Sequence, residues 1–233
     1  MGAMATSTKT KRDEDQLFKD SYFQYYKGSL TGEKTIHLTE LNGESCDKRL
    51  PVNIFMGIDP ASSTRQTADF STIVSVAIDK DNNRYLLPYY RKRVSPMALA
   101  DAIIDQFKLY KPDKCRIESV GYQEMLREYI RQRCEEEQIF ISGLEIKENP
   151  RNSKSSRLET LEPYFAQKKV YMQDDMQDFK NELLLYPRSK HDDLLDGFYY
   201  ANKKSYTPAH EADQGDDVKA KIVDKQDYSW LVA

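Results

Sequence analysis

Between Val52 and Tyr200 the apolar positions fall into runs of two kinds, short continuous ones and longer periodic ones. Residues 52–59 (VNIFMGID) and 71–79 (STIVSVAID) are short, nearly unbroken and rich in β-branched side chains, which predicts buried strands. The turn DKDNNR (79–84) leads into YLLPYYRKR (85–93), so the three runs predict an antiparallel meander. The period then changes. SPMALADAIIDQFKLYKP (95–112) has a serine N-cap, proline at the first helical position and a Lys-Pro exit, which together bound a helix. After it come a strand, KCRIES (114–119), a helix over about 122–137 and a strand, IFISGLEI (139–146). SKSSRLETLEPYFAQKK (153–169) predicts a helix, VYM (170–172) a short strand, and DMQDFKNELLLYP (175–187) and KHDDLLDGFYYANKKS (190–205) the last two helices.

The order is β-β-β-α-β-α-β-α-(β)-α-α. It predicts an α/β fold of the ribonuclease-H-like kind: a mixed five-stranded sheet, antiparallel over its first three strands, in the order 3-2-1-4-5 with helices on both faces. Residues 52–205 are the expected domain. Ahead of it, MGAMA reads as an expression-tag remnant, QLFKDSYFQYYKG (16–28) as a short aromatic helix, and 28–51 as a linker with one short strand or hairpin near Thr35–Leu38. Residues 206–233 read as a polar, acidic tail.

Composition narrows the chemistry. With 233 residues, 39% hydrophobic and 31% charged, the chain suits one sizeable core, and no apolar run approaches the ~18 residues of a membrane span. Three cysteines without CxxC spacing read as reduced thiols, neither disulfides nor zinc ligands. Three histidines are too few for a His-rich metal site, so any metal must be held by oxygen. The net charge of −3 excludes a globally basic nucleic-acid binder but not a local patch. One such patch is RNSKSSR (151–157), where Arg151, Lys154 and Arg157 stand close together at a predicted helix start, a natural place for phosphate. Four acids in EADQGDD (211–217) give the tail the opposite sign.

Acids interrupt apolar elements at three places. Asp59 ends the first strand, Glu118 ends the fourth, and HDDLLDG (191–197) opens the last helix with Asp192, Asp193 and Asp196. A lone carboxylate among Ile54, Phe55, Met56 and Ile58 is costly to bury without a compensating charge. Each acid has a plain structural explanation: a turn at Asp59-Pro60, an ion pair of Glu118 with Arg116, a favourable helix start at Asp192. Taken together they fit metal binding better. Converging carboxylates repel, divalent cations relieve that cost, and an oxygen-only ligand set favours Mg²⁺ or Mn²⁺. Two such ions can activate water and stabilise the leaving oxygen of a phosphodiester.

The segments MGIDPA…TADFSTIV, RIESVGYQEML, NPRNSKSSRLETLEPYFAQKKVYM and FKNELLLYPRSKHDDLLDGFYYA resemble, in order and spacing, the nuclease domain of the large terminase subunits of tailed bacteriophages, over roughly residues 52–203. That resemblance implies a divalent-metal-dependent endodeoxyribonuclease cutting double-stranded, concatemeric viral DNA in the host cytoplasm. Its implied partners are DNA, a small terminase subunit and a portal protein. It makes Asp59, Glu118 and Asp193 the catalytic, metal-binding acids, with Asp192 a further ligand and Asp69 and Asp196 in support. Full-length large subunits carry an ATPase, whereas this sequence holds no G-x-x-x-x-G-K-[ST] loop, so it is not expected to drive translocation alone. Two rivals stay open on the residues: a junction-resolvase or integrase-like nuclease of the same fold, and a non-catalytic module that docks the motor on the portal. An actin-like kinase is disfavoured, since none of the nine glycines forms a paired-glycine nucleotide loop.

Overall fold

In the computed structural model, residues 16–32, 34–61, 70–118, 123–141, 145–146, 154–189 and 191–209 are described. The strands are β1 (Gln24–Thr31), β2 (Thr35–Leu41), β3 (Glu44–Pro51), β4 (Asn53–Asp59), β5 (Ser71–Ile78), β6 (Arg84–Leu86), β7 (Tyr90–Lys92), β8 (Lys114–Glu118), β9 (Glu145–Ile146) and β10 (Val170–Met172). The helices are α1 (Pro96–Tyr110), α2 (Gln123–Glu136), α3 (Lys154–Glu159), α4 (Glu162–Ala166), α5 (Gln177–Leu185) and α6 (Asp193–Asn202).

Alternation along the central strands explains why their apolar runs are unbroken. Ile54, Met56 and Ile58 of β4 and Ile73 and Ala77 of β5 enter a core layer with Leu99, Ile103 and Leu126 of α1 and α2. Phe55 of β4 and Val74, Val76 and Ile78 of β5 enter the opposite layer, with Leu158, Phe165, Phe179 and Phe198 of α3 to α6. A sheet covered on both faces has no solvent side to mark with polar residues. The order β6-β5-β4-β8-β9 is the 3-2-1-4-5 arrangement, with β4 antiparallel to β5 and parallel to β8. No helix among the described residues is long and apolar enough to cross a membrane.

The sheet is longer than five strands. Beyond β6 it continues through β10, which pairs in parallel with both β6 and β1, into the antiparallel β1-β2-β3 meander. The helix expected at 16–28 is instead a single 3-10 turn, Asp20–Tyr22, followed by β1. Its aromatics serve separate purposes. Phe18 and Phe23 pack edge-on against Phe165, while Tyr26 meets Tyr85 and donates its hydroxyl to the Leu86 carbonyl. Gly28 sits at a bulge, where a Cβ would lie 2.3 Å from the His37 carbonyl oxygen.

Three expected elements are interrupted for local reasons. Proline lacks an N–H for the ladder, and the strand expected at 85–93 is split around Pro88 into β6 and β7. In the helix expected at 153–169, Pro163 has no N–H to bond back to Glu159, and α3 gives way to α4. Ile139 donates to Cys134 and closes the end of α2, so the strand expected at 139–146 is represented by β9 alone, residues 142–144 lying outside the described ones.

Candidate active site

Helix α6 lies against β4 and β5 because two glycines let it approach. A Cβ on Gly57 would stand 2.0 Å from the Gly197 carbonyl oxygen and 2.4 Å from the Ala201 nitrogen. No real side chain fits there. The close crossing delivers the first turn of α6 to the carboxyl end of β4, where Asp59 is 8% exposed. Thr72 is the link between them: it is the cross-strand partner of Asp59, and its hydroxyl donates to the Asp193 carbonyl at 2.9 Å.

Asp193, the first residue of α6, is 5% exposed. Its Oδ2 accepts from the Phe70 N–H at 3.3 Å and lies 3.7 Å from His191 Nδ1. Asp196, one turn on, is 2% exposed, so the exposed helix charge that its sequence position permits is not what forms. Ile58 pairs with Ile117, and one residue further the register sets Glu118 beside Asp59 on the adjacent parallel strand. Strand and helix thus bring Asp59, Asp193 and the backbone position of Glu118 to one end of the sheet.

Asp192 occupies the N-cap of α6 without making a capping hydrogen bond. The cap comes from another helix. Glu182 of α5, 3% exposed, accepts with Oε2 from the N–H groups of Leu194 (2.9 Å) and Leu195 (3.2 Å), the donors a cap residue normally satisfies. Its Oε1 stands 3.3 Å from Arg91 Nη2. Burial pushes the Glu182 carboxyl up to about 8, with the Asp193 charge adding to the rise and Arg91 and the two N–H groups opposing it. Sequence reasoning missed Glu182. Within NELLLYP it reads as the polar side of an amphipathic helix, and only the arrival of α6 buries it.

The expected basic patch is described in part. Arg157 packs on α6, donating to the Tyr200 hydroxyl with its guanidinium 5.8 Å from the Tyr199 ring centre. Lys154 opens α3, while Arg151 and Asp69 lie outside the described residues.

As metal donors the acids form a hard, all-oxygen set, which suits divalent cations such as Mg²⁺ or Mn²⁺. Among the described residues no three His, Cys, Asp or Glu side chains form a metal-holding group by themselves; the side chain of Glu118 falls outside that description.

A mixed sheet in this order, with acids ending its first and fourth core strands and opening the last helix, is the ribonuclease-H-like class of α/β fold. Within that class, residues 56–204 match the terminase RNaseH-like domain family, and the chain belongs to it. Solved structures agree on the fold. The large terminase nuclease from thermophilic phage G20c is 13% identical, with a TM-score of 0.55 over 82% of this chain and 99% of that one. The same G20c nuclease with bound magnesium is 15% identical, with a TM-score of 0.50 over 81% and 97%. The P22 large terminase nuclease domain is 14% identical, with a TM-score of 0.50 over 82% and 92%. No curated protein sequence matches the chain.

Proposed function

We propose that this chain is a divalent-metal-dependent endonuclease that cuts double-stranded, concatemeric viral DNA during genome packaging. The observation that carries the reading is the joint burial of Asp59 and Asp193, tied together through Thr72 at the strand end where the register also sets Glu118. In this reading Asp59, Glu118 and Asp193 hold one or two Mg²⁺ or Mn²⁺ ions. Asp192 is a further ligand, and Asp69 and Asp196 support the set. The magnesium-bound G20c nuclease shares the fold and makes magnesium a natural first choice.

A bound divalent cation supplies Lewis-acid activation of water and charge neutralisation at the phosphodiester. The chain's own residues do the placing. Thr72 and the Phe70 N–H fix the backbone and carboxylate of Asp193, and Glu182 takes over the capping donors. Capping is thereby met without Asp192, whose carboxylate is assigned to the metal set.

Arg151, Lys154 and Arg157 are assigned to backbone phosphates, contacts that position the duplex and carry little sequence preference. Catalysis is assigned to residues 52–205. The small subunit and portal are assigned as partners, and the host cytoplasm as the place of action, by analogy with the terminase family that the chain matches. Plasmid cleavage tests the reading: nicking and linearisation in Mg²⁺ or Mn²⁺, none in EDTA, and none by Asp193→Ala. Cleavage that persists in EDTA, or in that variant, refutes it.

A further inference from the structure

In the cationic run Arg91-Lys92-Arg93, Arg91 braces Glu182, while Lys92 and Arg93 belong to none of the assignments above. β7 is antiparallel to β5, which is antiparallel to β4, so β7 and β4 point the same way and end at the same edge of the sheet. Thr72 pairs with Asp59 on one side and with Arg91 on the other. Two strand spacings place the Arg91 backbone ~10 Å from that of Asp59, and Arg93 lies ~7 Å further out along the strand direction.

The two arginines differ in exposure. Arg91, its side chain 15% exposed, turns inward to Asp178 (3.0 Å) and Glu182 (3.3 Å). Arg93 is exposed, and its guanidinium lies over the Phe70 ring, 3.8 Å from the centre, with Arg91 4.0 Å from the same ring. Phe70 is the residue whose N–H bonds Asp193, and its ring meets His191 edge-on at 5.2 Å. A guanidinium stacked on an aromatic face keeps its N–H donors in the ring-parallel plane, where they can fork onto an anion. Acids gathered at one edge repel an approaching phosphodiester, so a fixed cation at the same edge has a clear task.

We propose that Arg93, stacked on Phe70, is a phosphate-contacting residue that holds the DNA backbone at a position flanking the phosphate that is cut. The inference rests on the nuclease reading, yet its test is separate from cleavage. The full chain is titrated with a 30-bp duplex of arbitrary sequence in EDTA, by fluorescence anisotropy, across a series of salt concentrations. Arg93→Gln should bind several-fold more weakly, with a log K against log salt slope shallower by about 0.9, the value for one lost phosphate contact. Arg93→Lys should restore the slope but only part of the affinity, since an ammonium lacks the fork and the stacking. Lys48→Ala, on exposed β3 six strands from β4, should bind as wild type. Wild-type affinity and slope in Arg93→Gln overturn the proposal, as does an equal loss in Lys48→Ala. A wild type that cuts DNA while Arg93→Gln binds normally sinks this contact and spares the nuclease; an Arg93-dependent slope in a protein that never cuts does the reverse.

Discussion

Asp193 is held on three sides at once: by its own helix, by Thr72 at its carbonyl and by the Phe70 N–H at its carboxylate. A substitution there removes a fixed donor without emptying the core. Asp193→Asn keeps the volume and should lower metal-dependent cleavage by more than the ~10- to 100-fold typical of losing a partner of a metal ligand. Its melting temperature in EDTA should stay near wild type. Retention of activity within a few-fold, read in a supercoiled-plasmid assay, would displace Asp193 from the metal set. Asp196 separates differently: being 2% exposed, its loss should act on stability as well as on turnover. The acids at strand and helix ends were legible in the sequence because a charge inside an apolar run is conspicuous. Glu182 was not, because a carboxylate on a helix surface costs nothing until a second helix covers it.

At the scale of elements, the decisive contact is α6 on β4. Gly57→Ala sets a methyl carbon 2.0 Å from a backbone oxygen that has no rotamer to retreat into. It should cost at least the ~3 kcal/mol at the upper end of overpacking, measured by urea denaturation. The brace from α5 makes a second prediction. The Glu182 carboxyl sits at about 8 in the folded protein against 4.5 unfolded, so the folded state holds its proton more tightly between those values. Stability in EDTA should therefore fall as pH rises from about 5 to 8, and Glu182→Gln should flatten that fall. A profile identical in wild type and Glu182→Gln would remove the buried charge from the account. The Gly57–Gly197 contact was not legible either. MGID and LDGF each show a glycine, but only packing reveals that Gly57 meets the Gly197 carbonyl while Gly197 meets Val74 and Thr72 of β5. Helix α1, by contrast, was bounded correctly by Ser95, Pro96 and the Lys111-Pro112 exit, because caps are local chemistry.

For the whole molecule, the ribonuclease-H-like core was legible from the order of its elements, while of the added meander only the strand expected near Thr35–Leu38 was, as β2. The strands β1 to β3 lean on long-range partners, Tyr26 on Tyr85 and β1 on β10, that no local window contains. Ligand linkage gives a whole-molecule prediction. Mn²⁺ at ~100 times its dissociation constant should stabilise the fold by ~2.7 kcal/mol, a rise of about 5–10 °C in melting temperature for a chain this size. Asp193→Ala should lose most of that rise. An equal rise in the variant would mean that the metal binds elsewhere.

The central claim is that Asp59, Glu118 and Asp193 together hold the metal that cuts DNA. It is tested most directly by anomalous diffraction from crystals soaked in Mn²⁺. The account predicts one or two anomalous peaks bounded by the carboxylates of those three residues, and none there in Asp193→Ala crystals soaked alongside. Strong peaks elsewhere, with that strand end empty, would contradict it.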